Sequence, residues 1–453
     1  MNPERALGRA LSATLGPLVA LRIVVAGLCL TAAEPRHAID WIKSGAPLVT
    51  PFGLGWFAEA APLDASTANI IRVIYYASAA LALVGLYTRF ALVALGATAF
   101  YLFAVNSMGG AVLHDMHLLW FIAVLAVSPC GETGSLDAHF AGRPFIERTA
   151  FIAQNGVPVF LIRTLLGLVY FFPGLHKIRE SGFAWALSDN LANQMHAKWL
   201  QFDQIPFFRI DTHPSLLHAA GLFVLAFELL FVFLVHVGPR TRIALALAGI
   251  AFHLASQVFM FIPFASLWMT YVILFDAPAK SSSDLPRTAA GETSPHRALP
   301  ASALLVGAAL LVPVAIQGAR GVTQSFPFAC YPTFQRIADP ELPDLSVTAV
   351  TPEGERDVPV ARDALGHRSQ ASWGAVWSIA GIYGAPFSEA RLRQFLLAEA
   401  NHEPGRSRFL EAPFLEARSV RVDLTRRSTL PERWRDPPRK VRTLATFSWP
   451  LSE

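Results

Sequence analysis

Charge is what this chain has least of. Asp, Glu, Lys and Arg make up 15% of its 453 residues, where a soluble domain carries about a quarter. That deficit excludes an ordinary cytosolic enzyme, a disordered tail protein and a nucleic-acid binder. The basic balance is slight, a net charge of +4, and loop Lys and Arg that orient a membrane protein account for it. Cysteine is equally sparse. Cys29, Cys130 and Cys330 are scattered, so there is no disulfide framework and no metal-ligand spacing. Internal repeats are lacking too, as is any Gly/Pro-broken helix pair recurring in two halves, which disfavours a secondary transporter.

Apolar residues are plentiful. They form 53% of the chain, with 33 Phe and 10 Trp, and the mean hydropathy is +0.42. A helix needs about 20 apolar residues to cross the hydrocarbon core. Runs that reach or approach this lie near 14–33, 69–87, 90–107, 113–128, 156–173, 215–236, 242–262 and 299–317. A shorter run at 264–276 follows Pro263 directly, as a short span or the second half of a kinked one. Eight or nine crossings follow, and nine is the count expected: an all-α polytopic bundle. Arg5 and Arg9 before the first run, with Thr31-Ala32-Ala33 after it, also fit a signal peptide. Arg22 inside that run, which a disposable segment would not need, favours a resident span.

Orientation follows from the short loops. With nine spans, Arg5, Arg9, Arg89, Arg143, Arg148, Arg240, Arg242, Lys280, Arg287 and Arg297 share one side. That side is expected to be the cytoplasm of a cell whose inner (plasma) membrane holds the protein. Loops 34–68, 107–113 and 174–214 then face outward with the tail. Four parts are expected: residues 1–276 as the main membrane domain, 277–298 as a polar cytoplasmic linker, 299–317 as the final span, and 320–453 as an exported soluble domain. In that last part 345–350 and 357–360 alternate around Thr351-Pro352-Glu353-Gly354, which reads as a hairpin. Residues 388–402 read as a helix behind a Ser cap, and 420–424 and 441–447 as further strands. The tail is therefore a small β-rich (α+β) domain.

Ionisable residues at membrane depth are functional candidates by default. Arg22 lies in the first run, His114 and His117 open the fourth, His176 and Lys177 close the fifth, and Glu228 and His253 sit inside the sixth and seventh. Each also has a plain structural reading. Arg22 can snorkel or pair with Glu228, His253 can be a satisfied hydrogen-bonder, the 114–117 histidines can cap a helix, and Lys177 can be a headgroup cation. In the nine-span arrangement His114, His117, His176 and Lys177 all fall at the outer face, as candidates for one site. A lysine in a dry pocket loses its charge readily and serves as a general base, and a nearby histidine can relay the proton. A haem would need two histidines facing each other, for which His117 and His253 are the pair.

Several of these segments share a further likeness. Leu18-Val19-Ala20-Leu21-Arg22 runs on to Gly27, His114-Asp115-Met116-His117 precedes Ser135-Leu136-Asp137, and Tyr170-Phe171-Phe172-Pro173-Gly174-Leu175-His176-Lys177 precedes Gly182 and Trp185. Glu228, Pro239-Arg240-Thr241-Arg242, Phe252-His253 and Ser325-Phe326-Pro327-Phe328-Ala329-Cys330-Tyr331-Pro332 follow. In this order the sequence resembles the HTTM-domain proteins, the family of the vitamin K-dependent gamma-carboxylase, over most of residues 10–276 and loosely to about 335.

The resemblance implies a quinol-driven oxygenation. Lys177 matches the family's catalytic lysine, and His114 or His117 its histidine, the choice between them staying open. His176, Glu228, His253, Arg22 and Trp185 become candidates for binding substrate. The implied co-substrates are reduced vitamin K or a menaquinol-type quinol and molecular oxygen, with carbon dioxide where glutamate carboxylation is coupled to the oxygenation. No metal is implied. Partners are membrane lipid, the quinol, and a peptide or protein substrate. The chain departs from the carboxylase in its tail, about 130 residues with no evident peptide groove. A non-catalytic lipid- or quinone-binding scaffold with an exported interaction domain is therefore the alternative.

Overall fold

A computed structural model describes residues 15–32, 34–44, 50–108, 115–143, 153–275, 301–321, 325–329, 334–359, 387–400 and 417–449. The polar linker at 277–298 and His114 lie outside the described residues. Helix dominates, at 66%, beside a small C-terminal antiparallel sheet. The helices are α1 (Gly16–Thr31), α2 (Glu34–Ser44), α3 (Gly55–Ala60), α4 (Ala65–Val84), α5 (Thr88–Ser107), α6 (Met116–Ala126), α7 (Leu136–Phe140), α8 (Ala153–Ser181), α9 (Ala184–Leu187) and α10 (Asn190–Phe202). They continue with α11 (Pro214–Leu234), α12 (Pro239–Met260), α13 (Ala265–Trp268, extended as a 3-10 turn over Met269–Leu274) and α14 (Ala301–Arg320).

Among the described residues, seven helices are long and apolar enough to cross a membrane, the first counted as Gly16–Asp40 and the others being α4, α5, α8, α11, α12 and α14. Such a set is compatible with a multi-pass membrane protein. The two remaining apolar runs are helical but short: α6 has 11 residues, about 16 Å at 1.5 Å per residue, and Ala265–Leu274 is shorter still. Both are cut by punctuation visible in the chain, Ser128-Pro129 after α6 and Pro263 before α13. Neither lacks company. Nearly every residue of α6 is buried, as are Thr270, Tyr271, Ile273 and Leu274, so both sit inside protein, as an all-round apolar helix must.

α8 is the axis of the bundle, with 78% of its apolar window buried against 22% for α14. It packs on α11, α14 and α6. Prolines at 158 and 173 interrupt it, which neighbouring helices make tolerable.

The tail holds β1 (Glu341–Thr351), β2 (Gly354–Val358), α15 (Glu389–Ala400), β3 (Ser419–Ser428) and β4 (Arg439–Ser448), the sheet running β2-β1-β3-β4. Thr351 pairs with Gly354 at the tip of the β1–β2 hairpin, where the Pro/Gly turn predicts it. Alternate residues Leu345, Val347 and Ala349 of β1 and Val420 and Val422 of β3 pack with Leu392, Phe395 and Leu396 of α15, the one-sided burial a period of two produces. The chain enters this domain later than position 320. Phe326 and Ala329 belong to the core of the bundle, Phe52 bridges Ser325, and the Trp120 indole donates to the Pro327 carbonyl at 2.8 Å.

Residues 334–338 then lie against α8, α9 and α10. Asn193 donates to the Ala338 carbonyl (3.0 Å), Ala338 N donates to the Asn190 side-chain oxygen (2.8 Å), and Gln194 donates to the Arg336 carbonyl (3.2 Å). A polar knot fastens the same corner. Arg209 donates twice to Asp211, at 2.8 and 2.7 Å, and reaches Glu432 of the tail at 3.4 Å, while His196 Nε2 stands 3.0 Å from Asp211. Burial pushes the Asp211 carboxyl up, but hydrogen bonds from Arg209 and His196 outweigh it and hold it down at about 2. A depressed carboxyl contributes stability above its ordinary value near 3.8 and loses it as pH falls through about 2. Acid unfolding followed by circular dichroism is expected to steepen between about pH 4 and 2, and Asp211→Asn to flatten it there.

Candidate functional site

The site begins with how closely two helices approach. Gly167 and Gly174 lie two turns apart on α8, facing α11. A Cβ at Gly167 would stand 2.7 Å from the Val232 backbone, and one at Gly174 would stand 2.8 Å from Glu228 Cβ. Small residues at such a seam let backbones pack where larger ones would hold them apart. Lys177, one turn beyond Gly174, therefore reaches across to Glu228: Nζ donates to Oε1 at 2.5 Å and to Oε2 at 2.7 Å. Both residues are buried, 2% and 5% exposed. The ammonium also lies 5.0 Å from the centre of the Trp185 ring, a face that attracts cations.

This pair borders a cavity of about 90 Å³ whose walls include Val169, Pro173, Trp185, Phe252, Phe264 and Phe334. A second polar group lines it. Tyr170, two turns before Lys177 on the same face of α8, has its hydroxyl 2.7 Å from His253 Nε2 and 2.6 Å from the Tyr271 hydroxyl. The His253 ring packs 5.3 Å from that of Phe264. Its other nitrogen, Nδ1, is buried with no hydrogen-bond partner.

The structure thus brings together Lys177, Glu228, Trp185 and His253 of the residues singled out in the sequence. It places three others elsewhere. His176 follows the helix away from Lys177, because consecutive residues point about 100° apart, and its Nε2 donates to the Gly318 carbonyl of α14 at 2.6 Å. Arg22 does not pair with Glu228, whose two oxygens Lys177 takes. It donates instead to the carbonyls of Cys130 (2.8 Å) and Gly134 (2.6 Å). Its neighbour Asp137 accepts from the backbone of Tyr87 and Thr88, both at 2.8 Å, so the Ser135-Leu136-Asp137 motif fastens the start of α5. His117 is buried and 3.1 Å from the Ser266 carbonyl through Nε2, and is not among the residues lining the cavity. The Nε2 atoms of His117 and His253 are both engaged by protein groups, the Ser266 carbonyl and the Tyr170 hydroxyl.

Tyr170, Tyr271 and Phe334 escape sequence reading. Tyrosine and phenylalanine are ordinary in apolar helices, and only the seven-residue step from Tyr170 to Lys177 hints at a shared face. The hollow thus has largely aromatic and apolar walls with a buried ion pair on one of them. In comparison with protein families, curated proteins and solved structures, no match emerges for this chain.

Breaking the pair from one side leaves a buried charge without compensation, which costs about 3–5 kcal/mol. Thermal unfolding in detergent is expected to show that loss for Glu228→Leu and for Lys177→Met alone. The double variant Lys177→Met/Glu228→Leu is expected to recover most of it. Additive losses would mean that the two residues are not coupled.

Proposed function

We propose that the chain is an HTTM-like integral membrane protein that oxygenates a lipidic quinol, with Lys177 as the base. The observation that carries this reading is the buried Lys177–Glu228 pair on the wall of an aromatic cavity. In this reading the hydroxyl proton of a bound quinol passes to the pair through Lys177, with Glu228 as its final acceptor. Trp185, Phe252 and Phe264 would hold the ring, whose bulk on these apolar walls would displace water from beside the strong base that such oxygenation generates. When bound, the quinol would supply all four electrons that reduce oxygen, two on becoming the quinone and two on epoxidation of its ring double bond, the overall change being hydroquinone and oxygen to quinone epoxide and water. Coupling to carboxylation of a glutamate on a peptide or protein, with carbon dioxide, is the form the resemblance suggests.

Nine crossings of the inner membrane, with the N-terminus cytoplasmic and the tail outside, suit two contacts in the fold. Residues 334–338, after α14, touch the end of α8 and the helices that follow it, so both ends share a face. That requires an even number of crossings between them, which α11, α12 and α14 reach only if the α13 segment counts. Tyr101, near the end of α5, donates to the Pro62 carbonyl in the loop after α1, so these two share a face as well. With α6 counted, the end of α8 joins that same outer face.

Detergent-purified protein supplied with reduced vitamin K or menaquinol and oxygen is expected to yield the quinone epoxide. Lys177→Ala is expected to lower the rate by at least about 100-fold, the usual scale for loss of a general base. Folded wild-type protein that makes no epoxide from either quinol would instead favour a binding or scaffold role.

A further inference from the structure

Trp185 lies over Lys177, yet the helix that carries it cannot place it alone. α9 is four residues long, and so short a helix owes its position to tertiary contacts. On one side α11 supplies them: a Cβ at Gly221 would stand 2.9 Å from the Ala186 backbone. On the other side they come from beyond α14, from the segment that leads into the tail domain. The Trp185 indole donates to the Phe334 carbonyl at 2.6 Å. The Trp185 carbonyl accepts from Asn190 Nδ2 at 3.0 Å, and Asn190 Oδ1 accepts from Ala338 N at 2.8 Å. Asn190 is fully buried. Hydrogen bonds thus tie residues 334–338 to Trp185 at two points, its ring and, through Asn190, its backbone.

A conformational cost marks the same place. Phe334 has a φ of +55°, the left-handed region that bulky side chains rarely adopt. Such a conformation persists only where the surroundings over-determine it. Here the carbonyl of Phe334 meets Trp185 while its ring walls the cavity. The tail domain reinforces the arrangement. Trp434 packs with Phe334 on one apolar cluster that includes Leu191, Met195 and Trp199 of α10, and Glu432 meets Arg209.

We infer that residues 334–338 are part of the site, with Phe334 and Asn190 as positioning residues that hold the Trp185 ring against the Lys177 ammonium. The site is then incomplete without the seated tail, and the domain beyond α14 serves the cavity and is not an appended module. The bearing on turnover rests on the reading of Lys177 as the base. The hold on Trp185 does not.

Indole N–H spectra of the full-length protein with ring-¹⁵N tryptophan, in detergent, test the hold without turnover. The signal that vanishes in Trp185→Phe belongs to Trp185. In wild type it is expected to exchange slowly with solvent and to shift in Lys177→Met, which removes the cation from the ring face. Phe334→Asn and Phe334→Pro both delete the phenyl ring, but Asn populates the left-handed region whereas Pro fixes φ at about −65°. Phe334→Asn is expected to keep the slow exchange. Phe334→Pro and Asn190→Leu are expected to speed it about five- to tenfold, the span of one net hydrogen bond, and to lose the response to Lys177→Met. Melting temperatures of all variants separate misfolding from a lost contact. Fast exchange in wild type, slow exchange in either Phe334→Pro or Asn190→Leu, or equal exchange in Phe334→Asn and Phe334→Pro would each overturn the inference. Epoxide formation from menaquinol is expected to fall at least about tenfold in Phe334→Pro and Asn190→Leu, as misplacement of a site group does. Epoxide at the wild-type rate in folded variants whose exchange is fast would overturn the inference and leave the oxygenase reading intact. The expected exchange pattern with no epoxide from any protein would do the reverse.

Discussion

Two opposite charges set between apolar helices are tolerable only together, and the pair Lys177–Glu228 imposes that condition on everything around it. Desolvating either group alone is expensive, while a short, two-pronged contact recovers much of the loss. To make that contact α8 and α11 must run close enough for a lysine to reach a carboxylate one helix away, and Gly167 and Gly174 provide the space. The same approach fixes which side of α8 faces the cavity. Tyr170, two turns earlier, then falls beside His253 of α12 and Tyr271 of the 3-10 turn.

The buried polar side chains of the bundle divide by what they hold. Arg22, Arg163, Arg242, His117 and His176 all meet backbone carbonyls: those of Cys130 and Gly134, Ile273, Leu274, Ser266 and Gly318. Most of these carbonyls lie at helix ends, in turns or in the short 3-10 segment, where they lack a partner within the helix. Such residues serve the fold. Around the cavity the pattern reverses. Lys177 and Glu228 answer each other, Tyr170 joins His253 to Tyr271, and one nitrogen is left over. Chemistry is expected where polar groups are gathered for one another and not for the backbone.

Much of this is legible in the chain, and the rest is hidden for identifiable reasons. Over their described residues the apolar runs are mainly helical, the one at 264–276 partly as a 3-10 turn. The shortness of α6 and α13 is marked by Ser128-Pro129 and Pro263, yet their burial inside the bundle is a tertiary fact. Lys177 and Glu228 announce themselves as costly charges, but Arg22 was an equally good partner for Glu228 until the glycine seam set the register of α8 on α11. His176 and Lys177, adjacent in sequence, part company for the reason every helix imposes. In the tail, alternation locates the strands. Nothing in the sequence reveals that Phe334 turns back to wall the cavity, with its carbonyl held by the Trp185 indole at 2.6 Å.

In the proposed reading the quinol ring sits in the hollow beside Lys177–Glu228. Photolabelling of the protein in native membranes with a photoreactive naphthoquinone, followed by peptide mapping, tests it most directly. Label is expected on the walls, at Trp185, Phe252, Phe264 or Phe334, and is expected to disappear when menaquinol is added in excess. Label confined to other surfaces, or label that menaquinol does not displace, would mean that the ring does not sit there.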